Sequence, residues 1–236
     1  MRDTGPADLL RRVVAAEPSR PLVTFYDDAA GERIELSAKT FDNWVAKTAN
    51  LLVDGLDAEP GERVALALPP HWQTAVWLFA CWSVGLVVEP TPEPIEPEDL
   101  AGTAASGAEI VVVAGAGLTV EAPAARDIVG LSLHAMGAPL QDCPPGVIDY
   151  AAEVRSYGDR FAPYSPVDPD APTLIVDDLV DDLTAAEGTL RANVIKNTYS
   201  GSELVTQARE SAEKWGLDAQ SRVLVDMPFT TLQGLL

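Results

Sequence analysis

The sequence predicts an α/β protein with a layered αβα architecture of mainly parallel sheets. The unbroken apolar run at 64–68 and the segment 109–114, which contains Ile-Val-Val-Val, have the character of buried strands. They alternate along the chain with longer segments whose apolar residues recur at helical spacing. Because strands that alternate with helices form parallel sheets with helices on their faces, this order predicts the fold class.

The first ninety residues contain the clearest signals for individual elements. Residues 22–26 and 33–36 flank a polar turn and predict a β-hairpin. Ser37 follows in an N-cap position, ahead of a helix that Gly55 can end. Residues 72–84 are apolar on nearly every side, which predicts a buried helix. Its three tryptophans are predicted to lie in the core: Trp72, Trp77 and Trp82.

Two proline-rich segments divide the chain. Residues 90–97 contain four prolines and predict an extended surface connection. Residues 161–172 are polar and also rich in proline, which predicts a linker. We therefore predict a first α/β subdomain at 1–160 and a partial second one at 173–236. Further helices are predicted at 6–17, 96–106, 148–157 and 202–215, and further strands at 127–132, 173–176, 191–196 and 222–226.

Composition excludes several classes of partner and site. The chain has 16 basic and 36 acidic residues, a net charge of −20, which argues against nucleic acid or an anionic membrane as a partner. The longest apolar stretch, 75–88, is interrupted and too short to span a membrane, and no signal core follows Met1, so we expect a cytoplasmic protein. Cys81 and Cys143 favour free thiols. Neither histidine has a partner at metal-ligand spacing, so we predict no metal site.

The front of the chain resembles a known family in the order and spacing of several short segments. They are 21–26, with Pro-Leu-Val-Thr-Phe-Tyr, then 31–37, 40–45, 49–52, 60–66 and 85–90. The series resembles the N-terminal part of the AMP-binding superfamily, which contains acyl-CoA synthetases, peptide-synthetase adenylation domains and luciferases. More narrowly, it resembles a short actinobacterial family of AMP-binding-like proteins. The resemblance implies the N-terminal lobe of an adenylate-forming enzyme, without its C-terminal domain.

In that superfamily a loop rich in Gly, Ser and Thr and ending in Lys holds the ATP phosphates through backbone N–H groups, hydroxyls and the lysine. The resemblance places this loop directly after the predicted strand at 173–176. Four acids stand there instead: Asp177, Asp178, Asp181 and Asp182. Their spacing matches no metal-binding loop, so we expect a solvated acidic turn that repels a triphosphate.

A first relic of the phosphate loop is visible a few positions later. Thr184, Gly188 and Arg191 fall on the Thr, the last Gly and the Lys of the family's pattern when one deletion is allowed. An ordinary amphipathic helix and turn would explain the same residues. The resemblance therefore offers these three as candidate nucleotide-binding residues, and the alternative stays open.

A second segment is richer in hydroxyls. Thr198, Ser200, Gly201 and Ser202 are candidate nucleotide-binding residues, with Lys196 just before them. The segment has one glycine and no following lysine, however. Ser200 or Ser202 is more simply the N-cap of the helix that follows.

The last residues depart further from the family. Residues 228–235 resemble its Pro-x-Phe-His-x-x-Gly segment, but Thr230 and Thr231 occupy the Phe-His positions. The adenine- and ribose-binding segments and the catalytic lysine that the resemblance implies have no counterpart in these 236 residues. We therefore predict no catalytic residue and no cofactor. ATP, AMP or Mg²⁺ would bind only if the relic site functions.

These observations predict a degenerate member of the family that does not adenylate a carboxylate by itself and acts as a binding or scaffold module. One alternative is an acyl-CoA or acyl-AMP ligase that a second chain completes. Another is a nucleotide or acyl-ligand binder without chemistry. An incomplete second sheet would expose an edge and an apolar face, so we expect self-association or a protein partner there.

Overall fold

The computed structural model describes residues 4–28, 30–91, 107–115, 118, 124–134, 136–181, 192–225, 229–230 and 232–235. The strands are β1 Pro21–Asp27, β2 Glu32–Ser37, β3 Arg63–Ala67, β4 Val87–Pro90, β5 Ile110–Ala114, β6 Asp127–Leu131, β7 Val147–Asp149, β8 Pro172–Asp181 and β9 Ala192–Ser200. The helices are α1 Pro6–Ala16, α2 Ala38–Asn50, α3 Trp72–Val84, α4 Tyr150–Glu153, α5 Gly201–Trp215 and α6 Leu232–Leu235. A π-helical turn, Leu51–Gly55, extends α2, and a 3-10 turn, Val154–Ser156, extends α4.

A seven-stranded sheet forms the centre of the molecule, in the order β7-β6-β5-β3-β4-β8-β9. Its strands from β7 to β8 are parallel, and β9 pairs antiparallel with β8 at one edge. Strands β1 and β2 form a separate antiparallel hairpin, as predicted. The fold class predicted from the sequence is confirmed.

The two faces of the sheet are buried by different groups of residues. One face carries the main core, in which Val64, Leu66 and Val88 pack with residues of α2 and α3. The other face carries a smaller cluster that includes Ala65, Ala67 and Val111. Successive strand residues point to opposite faces, which explains why neighbours in β3 belong to different clusters. Apolar residues on both faces are the reason that β3 reads as a continuous apolar run.

Helix α3 crosses the main core as predicted. Trp77 is fully buried, and Trp72 and Trp82 are nearly so. His71 is the N-cap, because its side chain accepts a hydrogen bond from the Gln73 backbone N–H. Gly85 ends the helix at φ 91°, a left-handed conformation that glycine adopts without strain. Among the described residues, no helix is long and apolar enough to cross a membrane.

Two predicted elements differ from the structure. The helix predicted at 148–157 is shorter, because its first residues belong to β7 and pair with β6. The strand predicted at 222–226 was wrong for its described part, since 222–225 is irregular and largely exposed. Within the part of the chain that the structure describes, no strand pairs with this segment, so no ladder of backbone hydrogen bonds holds it extended. Residues 92–97 of the proline-rich connection and the whole of the helix predicted at 96–106 lie outside the described residues.

The segment 161–172 has no regular structure before its last residue, as its prolines predict. The strand that follows it, β8, joins the same sheet as β4, with Val88 opposite Leu174. The two sides of the segment thus contribute to one sheet. The division of the chain into two subdomains at this segment stays a prediction.

Candidate functional site

The hairpin formed by β8 and β9 stands where the resemblance puts the phosphate loop. The two strands pair from Pro172 opposite Ser200 to Asp181 opposite Ala192. The expectation of an acidic turn was therefore wrong for Asp177, Asp178 and Asp181, which lie within β8. Pairing along the whole of β9 supplies their backbone hydrogen bonds, and this outweighs the low strand propensity of aspartate. Asp182 lies outside the described residues.

Thr184, Gly188 and Arg191 also lie outside the described residues, in the connection between β8 and β9. This connection consists of residues 182–191 and includes one glycine. Residues 177–191 together contain five acids and one base, Arg191. The local balance of charge is thus negative at the position where a phosphate loop would need donors and a cation.

The second set of candidates lies at the junction of β9 and α5. Ser200 is the N-cap of α5 and forms a capping box, in which its hydroxyl accepts from the Glu203 N–H and the Glu203 carboxylate accepts from the Ser200 N–H. This contact with the Ser200 N–H lowers the pKa of Glu203. The Ser202 hydroxyl donates to Asp170 at 2.8 Å, and the Ser202 N–H donates to the Pro169 carbonyl. The N-cap interpretation of Ser200 is confirmed.

Gly201 and Thr198 complete this set. Gly201 is buried. A Cβ added to it would lie 3.5 Å from the Gly5 Cα and 3.5 Å from the Pro169 carbonyl oxygen. Thr198 is exposed on β9, opposite Ile175. The structure brings Ser200, Gly201 and Ser202 together around the start of α5, where Ser202 bonds to Asp170 and Pro169 of the 161–172 segment. A nucleotide-binding role for them stays a prediction.

A buried carboxylate that the sequence analysis missed crosses the middle of the sheet. The Glu89 side chain on β4 is 3% exposed and pairs with Arg63 on β3 and with Lys196 on β9. The Lys196 Nζ to Glu89 Oε1 distance is 2.6 Å. Lys196 is therefore paired within the fold, and binding a phosphate would compete with this ion pair. The signal was a single acid within the apolar strand 87–90, because a buried charge requires a partner.

The histidines have structural contacts. His71 stacks edge-on to Phe25 with ring centroids 4.3 Å apart, and burial lowers its pKa to about 4. The His134 Nδ1 accepts from the Met136 N–H in a loop after β6. No group of three or more metal-ligating side chains occurs in the part of the chain that the structure describes. Cys81 and Cys143 are free thiols, as predicted.

An apolar groove of ≈ 450 Å³ opens beside α3. Its floor includes Leu78 and Phe79 of α3, and one wall includes Leu204 and Val205 of α5. The irregular segment 223–225 also lines the groove, and its Leu224 side chain is 84% exposed. A concave apolar surface of this kind is suited to an apolar ligand or to side chains of another protein.

Comparison with known proteins agrees with the α/β fold of the structure. The family model described as AMP-binding enzyme matches residues 10–176. A TIGR03089 family protein from Mycobacterium tuberculosis is 40% identical over 195 residues, which are 81% of this chain and 77% of that protein. The residues that the family model matches run from α1 through β7 into the first half of β8.

Solved structures show the same fold at low identity. Acetoacetyl-CoA synthetase from Streptomyces lividans superposes with a TM-score of 0.76 at 19% identity, over 98% of this chain and 36% of its own. The N-terminal domain of FACL13 from Mycobacterium tuberculosis gives 0.69 at 14%, over 100% of this chain and 53% of its own. This chain thus spans about a third of the synthetase and about half of the FACL13 domain. Because the family model matches residues 10–176 and a relative is 40% identical, the chain belongs to the AMP-binding enzyme family.

Proposed function

We propose that this chain is a member of the AMP-binding enzyme family that does not adenylate a carboxylate by itself and works as a binding or scaffold module. The observation that carries the proposal is the hairpin of β8 and β9. Its connection has one glycine, and five acids against one base lie between 177 and 191. A phosphate cradle needs glycines for close backbone approach and a cation for charge, so this hairpin is poorly suited to a triphosphate.

The binding role is supported by the groove beside α3. Apolar side chains line it from α1, α3, α5 and the segment 223–225. Exposed apolar residues along its rim, Trp215 and Leu224 among them, are the type of surface that a protein partner or a second copy covers. We propose this groove, rather than a nucleotide site, as the surface through which the module acts.

Calorimetric titration of the whole chain with ATP, AMP and an acyl-AMP mimic, each with and without Mg²⁺, tests the proposal. We expect no saturable heat, whereas a family member with an intact phosphate loop should bind under the same conditions. Saturable binding with a Kd of about 100 μM or below for any of the three would overturn it. Thermal shift gives an independent readout, because a ligand of the native state raises its apparent stability.

A second candidate is a ligase whose active site another chain completes. Its support is that 98% of the chain superposes on acetoacetyl-CoA synthetase from Streptomyces lividans, with a TM-score of 0.76. ATP–pyrophosphate exchange separates the two candidates when it is measured with the chain alone and with a second chain that carries adenine- and ribose-binding segments. Exchange only in the mixture would favour the ligase. A cytoplasmic location also stays a prediction.

A further inference from the structure

A second cavity, of ≈ 310 Å³, lies between α1, α2 and the segment 159–163, away from the β8–β9 hairpin. Three basic residues from three separate parts of the chain line it: Arg11, Lys39 and Arg160. The whole chain has 16 basic residues against 36 acidic ones, so three in one cavity run against its composition. Two acids, Asp42 and Asp159, also line the cavity, which leaves an excess of one positive charge.

The partners of these cations differ. Arg11 pairs with Asp8, and Lys39 lies 3.3 Å from Asp42. The Arg160 guanidinium makes no hydrogen bond or ion pair with any described residue. It is therefore the cation that can bind an added anion without first losing a partner in the fold.

The backbone around Arg160 is held in place by α2. Asn50 donates from its side-chain amide to the Arg160 carbonyl at 3.0 Å and to the Gly158 carbonyl at 2.9 Å. Lys47 donates to the carbonyl of Tyr157. These contacts fix the segment from 157 to 160 against the helix. A guanidinium on a fixed backbone loses less conformational entropy when it binds a ligand than one on a free loop.

The cavity combines these charges with an apolar floor. Leu10, Val45 and Ala46 are buried beneath it, and Phe161 lines its side. A guanidinium offers donors in a planar fork that matches the oxygens of a phosphate. Two arginines and a lysine around one cavity offer more donors than two carboxylate oxygens can accept, which favours a group with three oxygens.

We propose that this cavity binds a small phosphate monoester with an apolar body. The phosphate contacts Arg160, with Lys39 and Arg11 nearby, and the apolar body packs on Leu10, Val45 and Ala46. The proposal goes beyond the proposed function and does not depend on it. A chain that adenylates and a chain that does not could both contain this site.

The probe for this proposal is phenyl phosphate, with benzyl alcohol as the neutral comparison and inorganic phosphate as the comparison without an apolar body. We expect saturable binding of phenyl phosphate by calorimetry with a Kd of about 1 mM or below. Inorganic phosphate should bind at least about threefold more weakly, since it buries no apolar surface. Equal affinity for the two phosphates, equal affinity for benzyl alcohol, or no saturation would overturn the proposal.

Three variants locate the site. Arg160→Gln should weaken phenyl phosphate binding about tenfold, because a charge-assisted hydrogen bond is lost. Asp159→Asn should tighten it severalfold, because a carboxylate that repels the anion is removed. Arg12→Gln changes the net charge equally outside the cavity and should leave the affinity within about twofold. An unchanged Kd in Arg160→Gln with its melting temperature intact would overturn the proposal, as would equal weakening in Arg12→Gln.

Discussion

Lys196 on β9 reaches Glu89 on β4 across the intervening strand β8, with its Nζ 2.6 Å from the carboxylate. Arg63 on β3 pairs with the second oxygen of the same carboxylate. One buried acid thus links the antiparallel edge of the sheet to its parallel centre. The contact also couples the hairpin that stands at the phosphate-loop position to the rest of the sheet.

Glu89→Gln is expected to destabilise the protein by about 1–3 kcal/mol, because it leaves two cations without their carboxylate. The loss stays below that of a fully buried pair, since the side chains of Arg63 and Lys196 are 35% and 49% exposed. Urea unfolding at neutral pH measures the effect. Glu35→Gln is the matched control, because Glu35 pairs with Arg33 on the surface, and it should change stability by less than about 0.5 kcal/mol. Equal effects of the two variants would contradict the prediction.

Ser200→Ala should lower stability by about 1 kcal/mol, because it removes the hydroxyl that caps α5. Gln207→Ala, within the same helix, is the control and should be neutral or slightly stabilising, since alanine favours helix. Thermal unfolding followed by circular dichroism compares the two. If Ser200 had no capping role, Ser200→Ala would melt no lower than the unmodified protein.

The pH dependence of stability should reflect His71. Burial holds its pKa at about 4 in the folded protein, below the value of 6.5 that is usual for histidine. The unfolded chain therefore binds more protons between these two values, and stability falls as the pH drops from about 6.5 to about 4. The loss from this residue amounts to at most about 3 kcal/mol.

His71→Asn isolates that contribution, because asparagine can still cap α3 but does not titrate. The difference in unfolding free energy between the unmodified protein and the variant should shrink as the pH falls from 7 to 4. Urea titrations at several pH values in this window measure it. A difference that is constant with pH would show that His71 does not titrate with a lowered pKa.

Gly130→Ala in β6 should destabilise the protein by about 1–3 kcal/mol through overpacking. An added Cβ would lie 2.6 Å from Leu118 Cδ2 and 2.8 Å from Val147 Cγ1. The Val147 side chain is β-branched and has little freedom to move away. Gly158→Ala is the control, since Gly158 is exposed and its added Cβ would make only ordinary contacts, 3.6 Å from Asn50 Nδ2 and 3.9 Å from the Arg160 carbonyl. Chemical denaturation of both variants tests the prediction, which fails if they are equally stable.

Leu224→Asp should weaken the binding of an apolar fluorescent probe such as ANS to the groove beside α3, and also any self-association through it. Because Leu224 is 84% exposed, the substitution should change the unfolding free energy of the protein by less than about 0.5 kcal/mol. Met136→Asp is the control, because Met136 is also exposed and does not line the groove. Probe titration and gel filtration over a range of concentrations give the readouts. Equal loss of probe binding in both variants would exclude the groove as the apolar surface.

Local patterns in the sequence were sufficient to predict the elements in which each residue's role is set by its neighbours in the chain. The apolar run of β3, the all-round apolar helix α3 and the caps at Ser37 and Ser200 are examples. Their signals depend on helix and strand periodicity and on hydrogen bonds over three positions. The resemblance to the AMP-binding superfamily was confirmed in the same part of the chain.

Tertiary structure alone decided the features that depend on pairing between distant residues. Asp177, Asp178 and Asp181 joined a strand because β9 pairs with it, whereas 222–225 remained irregular without such a neighbour. The partners of Glu89 lie 26 and 107 positions away, so no local pattern could identify them. The physical reason is that sequence periodicity reports burial and local hydrogen bonding, while strand partners, ion pairs and cavities are set by how the whole chain packs.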